Sequence, residues 1–197
     1  MAIPRRRQRT IRPKLLDGVP TKGFRVMTMG AQHFRWFVVL LTLWSGFVLA
    51  VEGKIAPEWR ISEWLNGEGT TVEALRGKVV VIDFFQLWCP GCNAFSVPLM
   101  HKWEKQYAEQ AEAGDIVFLS IHTVFEGHEY QNPDRLREYV KNKGITHLVG
   151  IDQHRPGEET PQTMRLYRTR GTPEMAIVDR SGVVRFQRFG GFDPQNL

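Results

Sequence analysis

Cysteine is scarce in this sequence, and the residues that accompany it in structural metal sites are missing. The 197 residues contain two cysteines, Cys89 and Cys92, separated by Pro90 and Gly91. Structural zinc normally takes four nitrogen or sulfur ligands, but the chain has no second CxxC motif and no histidine pair at a fixed spacing. A structural disulfide here would close only a very small loop, and the entropic gain from cross-linking grows with loop length. The spacing therefore favours a reversible, redox-active disulfide, with metal binding and then a structural role as the weaker alternatives.

Acidic residues are almost absent from the start of the chain. The first 35 residues contain nine Lys or Arg residues against one acid, Asp17, although the whole chain carries a formal charge of only +5. Because the basic charge belongs to a flanking segment, residues 1–33, and not to the folded part, we expect no nucleic-acid partner. Met27 or Met29 is a candidate for the true start of translation, which would remove most of this segment.

An apolar run long enough for an ordinary membrane span is also missing. The longest run, Trp36–Val51, has 16 residues, whereas a spanning helix needs about 20. Two interpretations of the segment 34–51 stay open. It is either a signal peptide cut after Ala50, with Val48 at the other small-residue position, or an uncleaved anchor with the basic segment held in the cytoplasm; we favour the anchor. In both cases residues 52–197 are expected to lie in the periplasm or otherwise outside the cytoplasm.

From Glu52 onward, the sequence pattern alternates strands with helices. The run Lys78–Phe85 is almost continuously apolar and β-branched, which is typical of a strand covered on both faces. We expect a helix over Cys89–Gln110 with a kink at Pro98. The other expected elements are strands at 115–122 and 147–152, helices at 132–144 and 161–168, and a hairpin of strands 174–179 and 183–189. This order predicts an α/β domain of three layers with a mixed central sheet.

The two cysteines fall at the junction between the buried strand and the following helix. At a helix start, backbone N–H groups and the helix dipole favour a thiolate, so Cys89 is expected to be a nucleophile. Cys92 lies one helical turn further on, where it can attack a mixed disulfide formed on Cys89 and release the product.

Two motifs resemble the thioredoxin superfamily. The stretch "VIDFFQLWCPGC" is similar to its active-site strand and turn, and "RGTPEMAIVDRSGVV" is similar to its cis-proline loop and closing hairpin. The stretch "PEWRISEWLNGEGTTVEALRGKVVVIDFF" resembles the exported TlpA-like and ResA-like thiol-disulfide oxidoreductases, which place an extra strand or hairpin before the first core strand. The resemblance covers Ile55 to Phe192. It implies a thioredoxin-like fold with an N-terminal extension, and thiol–disulfide exchange with cysteines of exported proteins.

The resemblance also implies a role for each residue of the site. Cys89 matches the attacking thiol, Cys92 the resolving thiol, and Asp83 the buried acid that helps Cys92 lose its proton. A buried acid tends to have a raised pKa, which suits a base; the alternative is an edge strand with Asp83 facing solvent. The residues matching the surface that meets the substrate are Trp88, Pro90, Gly91, Thr172 and Pro173. Between the last two the family has a cis peptide bond, which exposes backbone groups to an extended substrate.

No organic cofactor and no metal are implied, since the Cys89–Cys92 disulfide is itself the redox group. Electrons would then pass to or from a partner protein with its own dithiol. A copper-delivery protein of the same fold, using both cysteines and a histidine, is a weaker alternative. The histidines considered for it are His101, His122, His128, His147 and His154. A peroxiredoxin-like peroxidase is disfavoured because its Thr-containing motif is absent.

Two features depart from the family pattern. Pro98 lies six residues after Cys92, where most members have five, so the helix kink is expected to be displaced. The printed chain stops at "GGFDPQNL", where the superfamily usually has one more helix over the sheet. A missing C-terminal helix is therefore expected.

Overall fold

A computed structural model describes residues 51–196 of the chain. The basic segment 1–33, and the segment 34–51 apart from Val51, lie outside the described residues, so their roles in export stay predictions. Within the described part of the chain, no helix has both the length and the apolar character needed to cross a bilayer.

A mixed sheet of six strands, in the order β1-β4-β3-β2-β5-β6, forms the middle layer. The strands are β1 (Ile61–Leu65), β2 (Val79–Phe85), β3 (Ile116–His122), β4 (Leu148–Asp152), β5 (Glu174–Val178) and β6 (Val184–Phe189). Strands β2, β3 and β4 run parallel, while β1, β5 and β6 are antiparallel to their neighbours. The apolar run predicted to be a covered strand is β2, which lies between β3 and β5 and is buried along nearly its whole length.

Helices cover the sheet and carry the second cysteine. They are α1 (Val97–Gln106), α2 (Ala108–Glu112), α3 (Pro133–Lys143) and α4 (Gln162–Tyr167), with a π-helical turn (Cys92–Ser96) that leads directly into α1. The long helix expected to continue to Gln110 is interrupted at Tyr107, whose φ of −112° and ψ of 29° separate α1 from α2. Helix α3 ends as predicted at Gly144, which adopts a left-handed φ of 65°.

The two faces of the sheet are buried by different parts of the chain. On one face, α1 packs its apolar side chains onto β2, β3 and β5; the cluster contains Val81, Leu99, Met100, Trp103, Phe118 and Met175. On the other face, α4 and the segment preceding β2 pack onto the same strands; this cluster includes Trp59, Leu75, Ile82, Phe84, Leu119 and Tyr167. The three-layer architecture predicted from the sequence is confirmed, and the N-terminal extension adds β1 to the edge of the sheet beside β4.

The extra residue between Cys92 and Pro98 is absorbed by the π-helical turn. The backbone N–H of Val97 donates to the carbonyl oxygen of Cys92, one residue further back than in an α-helix. Pro98 consequently lies in the first turn of α1, where a missing N–H group is best tolerated. The helical irregularity expected from the sequence therefore precedes Pro98 and begins at Cys92 itself.

Phe192, beyond the last strand, covers part of the face on which α1 lies. Its ring meets Phe95 at 5.1 Å and Phe186 at 4.9 Å between centroids, and lies 6.4 Å from Trp103. A single 3₁₀ turn, Pro194–Asn196, follows. The sequence predicted that a C-terminal helix, usual in the superfamily, would be missing over the sheet. In the described residues, the side chain of Phe192 covers part of the sheet face on which α1 lies.

We predict that Phe192→Ala lowers the free energy of unfolding by about 2 kcal/mol, because three aromatic neighbours lose their contact with a half-buried ring. Leu166→Ala, at a side chain that is 41% exposed, is the control and should cost less than about 1 kcal/mol. The midpoint of urea denaturation of the oxidised protein measures both. Equal shifts in the two variants would show that Phe192 contributes no specific packing.

Candidate active site

Cys89 and Cys92 lie between the end of β2 and the π-helical turn. They form a disulfide bond, with their Cα atoms 5.2 Å apart. Cys92 is fully buried, whereas Cys89 is 6% exposed and lines a groove of about 510 Å³. Of the two sulfurs, that of Cys89 is the one that a molecule in the groove can reach.

A backbone amide is aimed at the sulfur of Cys89. The N–H of Cys92 donates to Cys89 Sγ at 3.0 Å. In the reduced protein, this donor stabilises a thiolate more than a thiol, because a hydrogen bond to the charged form favours that form. The geometry thus supports a nucleophilic sulfur at position 89.

Asn93, a residue that was not predicted from the sequence, fixes the turn that carries the cysteines. Its side-chain amide donates to the carbonyl oxygens of Leu87 and Cys89, both at 3.0 Å. Its Oδ1 in turn accepts a hydrogen bond from the hydroxyl of Tyr139 on α3, at 3.1 Å. A polar residue after a CxxC pair has no sequence signature of its own, so only the folded contacts reveal this clamp.

The loop containing Thr172 and Pro173 lies against the cysteine turn. The Thr172–Pro173 peptide bond is cis. A Cβ atom added to Gly91 would lie 2.8 Å from Pro173 Cδ and 4.0 Å from Cys89 Sγ. Gly91 has an ordinary helical φ of −64°, so glycine is required there for space and not for backbone conformation. The fold therefore brings together the two sequence motifs that are separated by about 80 residues in the chain.

The groove beside Cys89 has walls of mixed chemistry. Its lining residues are Gln86, Trp88, Cys89, Pro90, Phe125, Glu126, Arg170, Gly171, Thr172 and Phe189. Two large aromatic side chains remain exposed, Trp88 at 45% and Phe189 at 42%, and the guanidinium of Arg170 lies 5.5 Å from the Phe189 ring. Of the predicted substrate-contacting residues, Trp88, Pro90 and Thr172 line this groove, while Gly91 and Pro173 lie against each other beside Cys89.

Glu174, directly after Pro173, holds one wall of the groove. It is almost fully buried, and its Oε2 accepts the backbone N–H of Arg170 at 2.8 Å. Its Oε1 accepts from the side-chain amide of Gln187 on β6 at 2.6 Å. The carboxylate thus ties the loop before Pro173 to the neighbouring strand. No sequence pattern marks Glu174 for this role.

Trp88 rests on a platform built by the segment that follows β3. Its indole stacks on the Tyr130 ring, with the ring centroids 5.9 Å apart and the planes at 15° to each other. The guanidinium of Arg135 lies 4.1 Å from the centroid of the same Tyr130 ring. The Nε1–H of Trp88 donates to Gln86 Oε1 at 3.1 Å. Gly127, at a φ of 63°, leaves the space that the indole occupies. The exposed ring is therefore held in one orientation beside Cys89.

Gln131 links that segment to the cysteine turn. Its Oε1 accepts the backbone N–H of Leu87 at 3.0 Å, and its Nε2 donates to the carbonyl oxygen of Glu126 at 2.8 Å. His122 Nε2 lies 3.4 Å from the same Oε1 and donates to it. Burial lowers the pKa of His122 to about 4, so the imidazole is neutral at physiological pH and serves as a hydrogen-bond donor.

Asp83 is fully buried in the middle of β2, so the alternative of an edge strand facing solvent is wrong. Burial raises the pKa of Asp83 from its ordinary value of 3.8 to about 7, and the hydrogen bond from Ser96 Oγ to Oδ2, at 3.1 Å, partly opposes the shift. Ser96 lies one turn after Cys92 on the same helical segment. An acid that titrates near neutral pH below this helix is suited to exchange a proton with the buried thiol of Cys92.

Four of the five histidines considered for copper lie in two separate pairs: His101 with His147, and His128 with His154, whose ring centroids are 5.2 Å apart. Within residues 51–196, no group of three or more His, Cys, Asp or Glu side chains is arranged to hold a metal ion. His122 bonds to Gln131, while His101 and His147 share the carboxylate of Glu104. The copper alternative receives no support from this arrangement.

Several proteins of known structure and several curated proteins are similar to this chain. No family model matches the chain. A thioredoxin-like superfamily protein of known structure is 36% identical, with a TM-score of 0.68 over 72% of this chain and 90% of its own. A thiol-disulfide isomerase from Corynebacterium glutamicum is also 36% identical, with a TM-score of 0.67 over 73% of this chain and 90% of its own.

Among curated proteins, Protein DipZ of Mycobacterium tuberculosis is 29% identical over 142 residues, which is 70% of this chain. The match covers 19% of DipZ, so the chain spans about a fifth of the length of this relative.

We predict that the buried carboxyl of Asp83 makes the stability of the protein depend on pH. Between about pH 4 and pH 7, the folded protein keeps a proton on Asp83 that the unfolded chain has lost, so the free energy of unfolding falls as the pH rises. Asp83→Asn removes this dependence, and its stability relative to the wild type should rise by about 4 kcal/mol over that range.

Urea denaturation at a series of pH values measures the difference. Asp134→Asn, at a side chain that is 96% exposed, is the control and should keep the pH dependence of the wild type. Parallel curves for the wild type and Asp83→Asn would mean that Asp83 titrates normally in the folded protein.

Proposed function

The chain belongs to the thioredoxin-like superfamily, and from this premise we propose that it exchanges its Cys89–Cys92 dithiol and disulfide with cysteines of exported proteins. The protein is a thiol–disulfide oxidoreductase in this proposal. One observation carries it: the sulfur of Cys89 faces a groove beside the cis-proline loop, while its disulfide partner Cys92 is buried beneath.

The exchange begins in the reduced protein with the thiolate of Cys89. Its sulfur attacks one sulfur of a target disulfide, the target S–S bond breaks, and the second target sulfur leaves as a thiolate. Cys92 then gives its proton to the carboxylate of Asp83, and its sulfur attacks Cys89 in the mixed disulfide. The target departs with two electrons more than it brought, and the Cys89–Cys92 disulfide is left behind. The same steps in reverse oxidise a target dithiol.

The groove supports binding of an extended polypeptide segment. Thr172 lines the groove beside Cys89, where its backbone can pair with an extended chain, as in strand addition. Trp88 on one side and Phe189 on the other present exposed aromatic surface, which favours apolar side chains flanking the target cysteine. Pro90 lines the groove as well, and Gly91 permits the close approach of Pro173.

The proposal includes the place and the partners of the protein. The apolar run Trp36–Val51, preceded by basic residues, supports export and attachment to the membrane on its outer side. No organic cofactor takes part, since the disulfide is the redox group. A partner protein with its own dithiol supplies or removes the two electrons.

We predict that Cys92→Ser accumulates mixed disulfides with target proteins, because the resolving sulfur is gone, and that Cys89→Ser does not. The measurement is non-reducing gel electrophoresis of each variant after exposure to cellular proteins outside the cytoplasm, followed by reduction. A variant with both cysteines replaced is the control for adventitious cross-links. Equal trapping by both single variants, or trapping by Cys89→Ser alone, would contradict the assigned roles.

We predict that an enzyme active only outside the cytoplasm, fused after Leu197, is active, and that deletion of residues 1–51 abolishes this activity. Fractionation of the same fusion separates the two interpretations of residues 34–51. An anchor leaves a full-length product with the membrane, whereas cleavage after Ala50 releases a shorter soluble product. A full-length fusion that stays soluble in the cytoplasm would contradict export.

A further inference from the structure

A row of polar side chains runs from the buried acid of the active site to the surface of the domain. Its members in order are Asp83, Ser120, His147, Glu104 and His101. Asp83 is 0% and Ser120 2% exposed, and the exposed fraction of the side chain then rises to 6% at His147, 21% at Glu104 and 36% at His101. The row therefore connects the interior to solvent, although its members come from β2, β3, α1 and the residue before β4.

Hydrogen bonds join Ser120, His147 and Glu104, and an ion-pair contact adds His101. Ser120 Oγ lies 2.8 Å from His147 Nε2, and His147 Nδ1 lies 2.7 Å from Glu104 Oε1. The other carboxylate oxygen of Glu104 lies 3.4 Å from His101 Nδ1. A carboxylate accepts only, so His147 donates from Nδ1 to Glu104, and its neutral form accepts the Ser120 hydroxyl at Nε2.

The inner step, from Asp83 to Ser120, has no hydrogen bond in the structure and rests on the sheet register. These two residues are direct partners across the parallel strands β2 and β3, so their side chains lie on the same face, on strands about 4.8 Å apart. Asp83 Oδ2 accepts from Ser96, but no side chain or backbone group of the described residues bonds to Oδ1, which is buried. The Ser120 hydroxyl has a lone pair free to accept after it donates to His147.

We propose that Ser120, His147 and Glu104 form a relay that carries protons between Asp83 and solvent. The proposal rests on the proposed function, in which Asp83 takes the proton of Cys92. The protonated carboxyl of Asp83 donates to Ser120 Oγ, and the Ser120 hydroxyl proton passes to His147 Nε2. His147 becomes an imidazolium paired with the Glu104 carboxylate, and its Nδ1 proton leaves to solvent by way of Glu104. No bond other than those to hydrogen changes. Ser120 regains a proton from Asp83, and His147 is left with its proton on Nε2; its starting tautomer returns when the disulfide is reduced again and the same transfers run in reverse.

The groups around the row support transfer in this direction. Partial burial raises the pKa of Glu104, but its contacts with His147 and His101, which favour the carboxylate, outweigh the burial and hold that pKa below its usual value. Glu104 is therefore a carboxylate, ready to stabilise a cation on His147. Tyr139, near Asp83, has a pKa raised to about 12 by burial and by the charge of Asp83, so it keeps its proton. Lys143 meets His101 through its backbone carbonyl.

The order Ser120, His147, Glu104 also resembles the triad of a hydrolase, in which the serine oxygen attacks a substrate. That interpretation fails because Ser120 is 2% exposed, and a substrate would have to enter the core of the sheet to reach it. Imidazole between a hydroxyl and a carboxylate is equally the arrangement of a proton shuttle, which needs no access for substrate.

The test follows both sulfur attacks in one experiment. The purified, reduced full-length protein is mixed with a small symmetric aromatic disulfide whose thiolate product is coloured. A first thiolate appears when Cys89 attacks, at a rate that depends on reagent concentration, and a second appears when Cys92 resolves the mixed disulfide, at a rate that does not. We expect Ser120→Ala and His147→Gln to slow the second phase about tenfold near neutral pH and to leave the first unchanged.

Solvent isotope dependence separates a relay from a clamp that only holds α1 near β4. For the wild type, the rate of the second phase should vary along a curve with the fraction of heavy water, because several protons move together. For Ser120→Ala it should vary along a straight line. If His147→Gln folds poorly, the measurement is repeated with Glu104→Gln, whose side chain is partly exposed. The control is His154→Gln, which should behave as wild type because the imidazole of His154 bonds to backbone carbonyls outside the row.

Two results distinguish the possible failures. If Asp83→Asn slows the second phase but Ser120→Ala and Glu104→Gln do not, and their isotope dependence is that of the wild type, the relay is overturned and the proposed function stands. If the wild type shows neither phase, thiol–disulfide exchange itself is overturned, and the relay with it.

Discussion

The close packing of the cysteine turn against the loop at Pro173 is the constraint on which the site depends. Pro173 lies so near Gly91 that no side chain fits between them, and this contact places the groove directly over Cys89. Neither segment holds this position alone. Asn93 fixes the turn from one side through two backbone carbonyls, and Glu174 fixes the loop from the other through the N–H of Arg170. Small displacements at either clamp would change access to the sulfur.

A second constraint is the burial of an ionisable group beneath the helix that carries Cys92. Placing Asp83 in the centre of the sheet costs stability above neutral pH, because the charged form has lost its hydration and has one hydrogen bond, from Ser96, in return. The same burial gives the carboxyl a proton affinity close to that needed to exchange protons with a thiol. The burial of Asp83 thus lowers the stability of the protein, and the proposed exchange reaction uses this same buried carboxyl. Such a cost is common at functional sites.

The polar side chains on this face of the sheet form a connected set. Asp83 and Ser120 are neighbours in register, and His122 lies two residues further along β3, facing Gln131 and the Trp88 platform. One strand therefore contributes to both the proton chemistry and the groove wall. This arrangement explains why polar residues at alternate positions interrupt an otherwise apolar strand, since both lie on the face covered by α1 and α3.

The sequence alone determined the fold and the reactive pair. Apolar β-branched runs and the helix caps at Pro133 and Gly144 are local signals, so β2, β3 and α3 followed from them, and the two-residue spacing of Cys89 and Cys92 limited the chemistry to a few choices. Tertiary structure decided what depends on contacts between distant segments. Asn93, Gln131 and Glu174 act through hydrogen bonds to backbone groups, and Ser120 meets His147 only because β3 and β4 pair. Such bonds join polar residues that follow no periodic pattern in the sequence. They can therefore be recognised only once the strands are in register.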